Sequence, residues 1–337
     1  MGLKRGAIDT AHRLGMFGAV GRMYGARRLT VLAYHRVTDH TDPGFTGFVG
    51  NVSATPAEFE AQLRWLAPRF TVVTLDAVAD AARGAPLPRR PLVITFDDGY
   101  RDNLQQATPI LERVGLPAAA FLATGLIGGG AAPWWDLAAV WFQATALGEA
   151  DLPVAGPRAW TDGRREALSW IRAAKRLPDA ELRAAVERLP GALEVTVDDS
   201  RFVGLMLGWD EVAAMAGRGW QFGGHTCSHP ILTRVPIEHA VREVQGSHDR
   251  VAEAVGVRPR GFAYPNGQPA DFDTAVRAVV ADAGFDVGFT LVPGPARWSE
   301  FSSDPLAIRR VYVHHGDGVS RLAAKVGGVA RFIEAVR

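Results

Sequence analysis

The strongest constraint on the fold of this chain is a strand–helix–strand period between residues 91 and 123. Leu92-Val93-Ile94-Thr95-Phe96 is a short apolar run rich in β-branched and aromatic residues, bounded by Pro91 and Gly99, and it predicts a fully buried strand. A helix is predicted over about 103–114, with Gly115 placed to end it in left-handed backbone and Pro117 just beyond. Ala118 to Ala123 predicts the next strand. Two strands joined by a crossover helix form a parallel βαβ unit, and a parallel sheet has to be covered on both faces.

The same rhythm extends in both directions. Leu29 to Tyr34 predicts a first buried strand, and Thr55-Pro56-Ala57-Glu58 is a capping box that opens a helix through about Leu66. A short strand at 70–73 and a helix at 75–83 follow. Beyond residue 207, predicted helices at 209–216, 237–255 and 271–283 alternate with strands at 220–223, 261–263, 287–291 and 308–313, and a helix over 319–336 closes the chain. Between about 125 and 207 the rhythm breaks. Helical stretches carrying Trp134, Trp135 and Trp141, then a charged run over 162–189, follow one another with no strand-like segment between them. This predicts a helical insertion, a candidate wall for a substrate groove and a candidate seat of specificity. Trp134 and Trp135 suit either core packing or a sugar platform. The domain reading is therefore an N-terminal helical segment, 1–28, and one α/β domain, 29–337, carrying the insertion.

Composition narrows the function classes. Of 337 residues, 47% are hydrophobic and 22% charged, enough for a large core, and the formal net charge of +1 gives no electrostatic footprint for nucleic acid. The lone Cys227 excludes an intramolecular disulfide framework. No stretch approaches the about 18 apolar residues of a membrane span. Asp9, His12 and Arg13 interrupt the N-terminal region, so no signal-peptide run is recognised and a cytoplasmic location is expected. A weakly amphipathic basic helix over 8–24 fits a surface helix or a peripheral membrane contact.

Three clusters carry chemistry, each at the end of a predicted strand. Asp97 and Asp98 are adjacent carboxylates at the mouth of an apolar strand, costly there unless they cap the next helix, hold a cation or do acid–base work. His225 and His229 stand four residues apart in GGHTCSHP. On one helical turn such a pair points the same way and grips one metal ion; the alternative is a pair of loop or capping histidines. Two His and one Asp make a typical three-ligand catalytic site, and the C-terminal ends of parallel strands are where such sites lie. The third cluster, GFAYPNGQ at 261–268, is either a plain turn or a backbone N–H held at the site mouth to stabilise an oxyanion. His35, ending the first strand, is expected to open towards the same place as a substrate or supporting residue, or to cap the strand.

TFDDGY, HTCSHP and FAYPNG, in this order on a βα background, resemble the polysaccharide deacetylase family, the NodB-homology carbohydrate esterases. The opening LTVLAYHRV and the flanking GWDEVAAMAGRGWQFGGHT add to the likeness, which spans about 29–315. The resemblance implies a distorted (β/α)7-type barrel and a metal-dependent hydrolase of carbon–nitrogen bonds. It implies Asp97 as catalytic base and Asp98, His225 and His229 as metal ligands, with zinc first and cobalt or nickel as alternatives. The implied substrate is an N-acetylated sugar in a cell-surface or exported polysaccharide or its precursor. Tyr264 and Asn266 of the third motif are expected on the substrate side.

The chain also departs from the family pattern. The third motif commonly begins with an Arg that orients the base; Ala263 stands in its region, and Arg310 is the candidate replacement. Asn266 stands where Tyr is common. A Leu-x-His motif often supplies a general acid; here Val313-His314-His315 closes the last strand, and His314 is the candidate acid, with His315 beside it. The alternative functions are an O-acetyl esterase or non-sugar amide hydrolase on the same site, and a non-catalytic glycan-binding protein.

Overall fold

A computed structural model describes residues 28–129 and 132–329, together with Thr10. The expected basic helix over 8–24 lies otherwise outside these residues, as does the end of the helix expected over 319–336. Seven parallel strands close into a barrel: β1 (Arg28–Tyr34), β2 (Pro91–Asp98), β3 (Ala119–Leu122), β4 (Gln221–Gly224), β5 (Gly261–Ala263), β6 (Val287–Pro293) and β7 (Ile308–Tyr312). Each pairs with its successor in sequence, and β7 returns to β1 through Leu32 opposite Val311 and Ala33 opposite Tyr312. Short strands at Thr71–Val72 and Ala296–Arg297 add to the rims of β2 and β1.

Helices wrap the barrel: α1 (Pro56–Leu66), α2 (Leu75–Ala82) and α3 (Thr108–Val114) precede the insertion. The expected capping box forms at α1, where Thr55 and Glu58 satisfy each other's backbone N–H groups. Gly115 ends α3 at φ +71°, as its position predicts.

Alternation along the strands builds two apolar layers. Leu32, Ile94, Phe96, Leu122 and Phe222 face outward onto Leu63 and Leu66 of α1 and Leu111 of α3. Leu29, Val31, Val93, Phe121, Val287, Phe289 and Ile308 fill the barrel interior, which α2 plugs from below. Burial of each such side chain contributes roughly 1.5–3 kcal/mol. Towards the C-terminal ends of the strands the interior turns polar, through the buried Thr95, Asp97 and Arg310.

Between β3 and β4 lie α4 (Trp134–Ala144), α5 (Gly163–Ala174) and α6 (Asp179–Ala192), followed by α7 (Trp209–Ala216), which packs on the barrel. The inserted helices have their own core, with Trp135, Phe142, Trp170, Ile171 and Leu189 at its centre. The insertion is not wholly helical. Glu149–Leu152 and Gly156–Ala159 pair as an antiparallel hairpin, in a stretch whose Glu, Asp, Pro and Gly content carries no strand signature. The remaining helices are α8 (Ile237–Val255), α9 (Thr274–Asp282) and α10 (Val319–Ala324). A further short helix, Trp298–Ser303, was not legible in the sequence. Among the described residues no helix is long and apolar enough to cross a membrane.

Candidate active site

The site lies at the C-terminal ends of the barrel strands, and strand parity decides who enters it. On β2, Val93 faces the interior, so Thr95 and Asp97 do as well. On β7 the same rule carries Ile308 and Arg310 inward. Arg310 and Asp97, separated by 213 residues, meet as a bidentate pair: Nη1 donates to Oδ1 and Nη2 to Oδ2, both at 2.7 Å. Nε of Arg310 donates to the Thr290 carbonyl at 3.0 Å, and Nη1 also reaches Thr95 Oγ1 at 3.2 Å. Both partners are buried, at 0% and 1% side-chain exposure. Burial works to raise the Asp97 carboxyl, but Arg310, together with His225 and His35, outweighs it, and the group sits below the usual carboxylate range. A buried, ionised and rigidly oriented carboxylate suits a general base.

Asp98 follows directly yet serves another place. Its backbone is left-handed at φ +74°, and Gly99 continues at φ +91°. A Cβ on Gly99 would lie 2.5 Å from Ile127 Cδ1, so this turn needs glycine twice over. Asp98 Oδ1 lies 3.4 Å from His225 Nε2 and 3.5 Å from His229 Nε2. Oδ2 accepts from Asn51 Nδ2 at 3.2 Å and lies 4.0 Å from His35 Nε2.

His225 and His229 converge, but not on a helix. The segment is a loop with left-handed backbone at Thr226 (φ +66°) and His229 (φ +60°). Glu243 of α8 holds it from below, accepting from the Cys227 and Ser228 N–H groups, each at 2.8 Å, and from Ser228 Oγ at 2.7 Å. His225 Nδ1 faces the Ala263 carbonyl at 2.7 Å, so that nitrogen carries the proton and Nε2 is free to ligate. Burial holds the His229 ring neutral, lowering it to about 3, with His225 adding to the effect. Burial works against charge on His225 too, but contact with Asp98 raises it. Cys227 turns away, its thiol 3.5 Å from the Glu243 carbonyl.

Asp98, His225 and His229 fit a divalent cation. Their ligand atoms all lie within 4.8 Å of one another, and Asp98 Oδ1 is buried with no hydrogen-bond donor. One carboxylate and two imidazoles suit zinc or a similar first-row ion.

The other expected site residues divide. His35, Asn266 and His314 line one cleft of about 970 Å³ with Asp97, Asp98 and the two histidines. His35 is held mostly neutral by burial. Asn266 sits in a tight turn at φ +61°, its amide donating to Asp271 Oδ2 at 2.5 Å, so its backbone rather than its side chain is offered to the cleft. His314 Nδ1 contacts the His315 carbonyl at 2.7 Å, and both rings line the cleft.

Tyr264 is a correction. It is fully buried outside the barrel, stacked on Phe272 at 4.9 Å, with its hydroxyl donating to the Leu306 carbonyl at 2.8 Å. Ala263 faces in, so Phe262 and Tyr264 face out. It contacts no substrate space, and that parity was readable from the strand.

Other side chains frame the site, and of these only Trp135 was singled out in the sequence, for core packing or a sugar platform. Trp135 of α4 lies 4.6 Å from the His229 ring, and its Nε1 donates to Tyr100 Oη at 2.7 Å. Tyr100 Oη also accepts from Asn51 and donates to buried Asp136 Oδ2 at 2.7 Å. Tyr312 lines the cleft with its hydroxyl anchored to the Gly50 carbonyl at 2.9 Å. Parity with Arg310 would have found Tyr312; nothing local marks Asn51.

The family profile for polysaccharide deacetylases matches residues 84–288. YxkH of Bacillus subtilis is 32% identical over 104 residues, covering 30% of this chain and 34% of that protein. Poly-beta-1,6-N-acetyl-D-glucosamine N-deacetylase of Staphylococcus aureus strain N315 is 31% identical over 81 residues, covering 24% of this chain and 28% of that protein. The chain thus matches about a third or less of the length of these curated relatives. Among solved structures, the Streptococcus pyogenes deacetylase PplD superposes at TM-score 0.59 with 17% identity, over 89% of this chain and 98% of that one. IcaB from Ammonifex degensii superposes at 0.57 with 20% identity, over 88% and 96%. At such identities the likeness establishes the shared barrel fold. With the fold, the profile match over more than half its length and the clustered motifs in agreement, the chain belongs to the polysaccharide deacetylase family.

Proposed function

We propose that this protein is a metal-dependent hydrolase that removes acetyl groups from N-acetylated sugars of a glycan. The observation that carries the reading is the pairing of two separate devices in one open cleft: a buried Asp97 carboxylate clamped by Arg310, and the three-ligand cluster of Asp98, His225 and His229. A divalent cation held by that cluster would supply Lewis acidity for hydrolysis of an unreactive amide. Asp97 has no hydrogen to donate and is held anionic, so it accepts the proton of the attacking water. Arg310 fixes its orientation, which a free carboxylate would sample only part of the time. The turn at Asn266 lines the same cleft, and its backbone N–H is the candidate donor to a developing oxyanion. His314 lines the same cleft and is the candidate to protonate the leaving amine.

Relatives named for deacetylation of poly-β-1,6-N-acetylglucosamine favour an acetamido sugar as the substrate over an O-acetyl ester. The test is metal content by plasma mass spectrometry together with acetate release from β-1,6- and β-1,4-linked N-acetylglucosamine oligomers, beside Asp97→Asn. Expected are one metal per chain and acetate release that the variant loses while keeping its metal. Metal without acetate release from any oligomer overturns the reading, and release from O-acetylated sugars alone redirects it to an esterase.

A further inference from the structure

The inserted helix α5 turns an unusually basic face to the cleft. Arg164, Arg165, Arg172 and Lys175 all line it, with Leu168 and Ile171 between them. These positions recur at intervals of three, four and seven residues, so they form one stripe along the helix and its C-terminal turn. Arg165 and Arg172 are separated by about 10 Å along the axis at 1.5 Å per residue.

The stripe makes no ion pair, though Asp98 and Asp271 act on Lys175 at longer range. Among the described residues no carboxylate lies in salt-bridge distance of any of the four, and the contact found for Arg164 is to the neutral Gln143 Oε1, at 3.2 Å. The carboxylates lining the cleft are otherwise engaged. Asp97 is neutralised by Arg310, Asp98 faces the two histidines, and Asp162 accepts the Arg164 and Arg165 backbone N–H groups at the helix start. Lys175 reaches deepest, its ammonium 6.0 Å from the Trp135 ring, which in turn packs on His229. Any cation bound by Asp98, His225 and His229 would make this wall more positive still.

A neutral acetamido glycan offers such a wall only uncharged acceptors, which leave its charge unmatched. Its deacetylation product is an amine, so a polymer processed at successive units would meet increasing repulsion from the four cations. Guanidinium groups instead match the planar oxygens of carboxylates and phosphates. We infer that the basic face of α5 is an anion subsite, selecting acetamido glycans that carry a phosphoryl or carboxylate group on or beside the sugar being deacetylated. This rests on the deacetylase reading for its substrate and on the cleft geometry for its charge.

The test compares acetate release from three probes: neutral tri-N-acetylglucosamine, the same trimer bearing a reducing-end phosphate, and an oligosaccharide alternating N-acetylglucosamine with glucuronate. At low ionic strength the wild-type protein is expected to favour an anionic probe by about tenfold in kcat/KM, from two or three partly exposed ion pairs. The preference is expressed in KM and shrinks as salt screens it. The phosphate and glucuronate arms tell which anion is read. In Arg165→Gln/Arg172→Gln the ratio of anionic to neutral kcat/KM falls towards one, whereas Arg165→Lys/Arg172→Lys keeps most of it. Equal kcat/KM for all three probes in the wild type, or a preference untouched in the Gln variant, overturns the subsite. Calorimetry with the phosphorylated trimer separates the two proposals. Salt-sensitive binding with no acetate release from any probe supports the subsite and overturns the deacetylase reading; release without charge preference does the reverse.

Discussion

Arg310→Met isolates the device that holds the base. In the folded protein the guanidinium makes two 2.7 Å charge-assisted hydrogen bonds to Asp97, and neither side chain is more than 1% exposed. Methionine fills similar volume but leaves the carboxylate buried without its counter-ion. Breaking such a pair from one side costs about 3–5 kcal/mol, because an uncompensated charge remains in a site of low dielectric. For a domain of this size that is on the order of 10 °C in Tm. The loss depends on pH with a definite sign. In the wild type the Asp97 pKa is depressed, so its contribution is present above the unfolded carboxylate pKa of about 4 and fades as pH falls through the lower folded value. In the variant, burial is opposed only by His225 and His35, and the pKa rises. The folded state then binds the extra proton, and the variant loses stability as pH climbs from about 4 towards its raised pKa. The deficit should therefore be small near pH 4 and large near neutrality. Urea unfolding of metal-free protein across this range, followed by intrinsic tryptophan fluorescence, measures it. Adding Asp97→Asn to Arg310→Met removes the stranded charge and should recover at least ~1–2 kcal/mol. A variant within ~0.5 kcal/mol of the wild type at neutral pH, a deficit independent of pH, or a double variant no better than the single would refute the reasoning.

Other expectations can be checked with the same methods. His225→Ala and Asp98→Asn should each reduce bound metal to background in plasma mass spectrometry while leaving the far-ultraviolet circular dichroism of the metal-free protein unchanged, since these side chains sit at strand ends above the core. Tyr264→Phe should leave KM for the glycan unaltered and cost about 1–2 kcal/mol in urea, for the stranded Leu306 carbonyl; a several-fold rise in KM would return Tyr264 to the substrate side. Asp136 is raised by burial to about 6, despite Arg36 nearby and the Phe48 and Tyr100 donors. Its folded form holds a proton that the unfolded chain releases, so it lowers stability as pH rises from about 4 to 6. Asp136→Asn should abolish that slope, worth on the order of 3 kcal/mol, and an unchanged slope in pH-dependent unfolding would contradict the assignment.

Much of the barrel was legible because parallel strands are continuous apolar runs and their helices carry end signals. Leu92 to Phe96, the Thr55 capping box and Gly115 each announce their structure within a few residues. The hairpin within 149–159 and the helix 298–303 did not, since they form on neighbours rather than on local propensity. The HTCSHP pair was read either on one helical turn or as loop residues, and the structure has the loop. Two left-handed residues and the Glu243 support bring His225 and His229 together there.

The sequence by itself determined which chemical groups stand at strand ends and, through the period of two, which of them enter the barrel. Asp97 inward and Tyr264 outward both follow from residues within the same strand. Only the tertiary structure decided who meets whom. Closing β7 against β1 sets Arg310 on Asp97 from 213 residues away. Folding the insertion over the strand ends sets Trp135 on His229 and a basic helix face along the cleft. Parity and propensity are properties of neighbouring residues on one backbone. Ion pairs and cleft walls are set by how separate elements pack, and no local pattern encodes their distances.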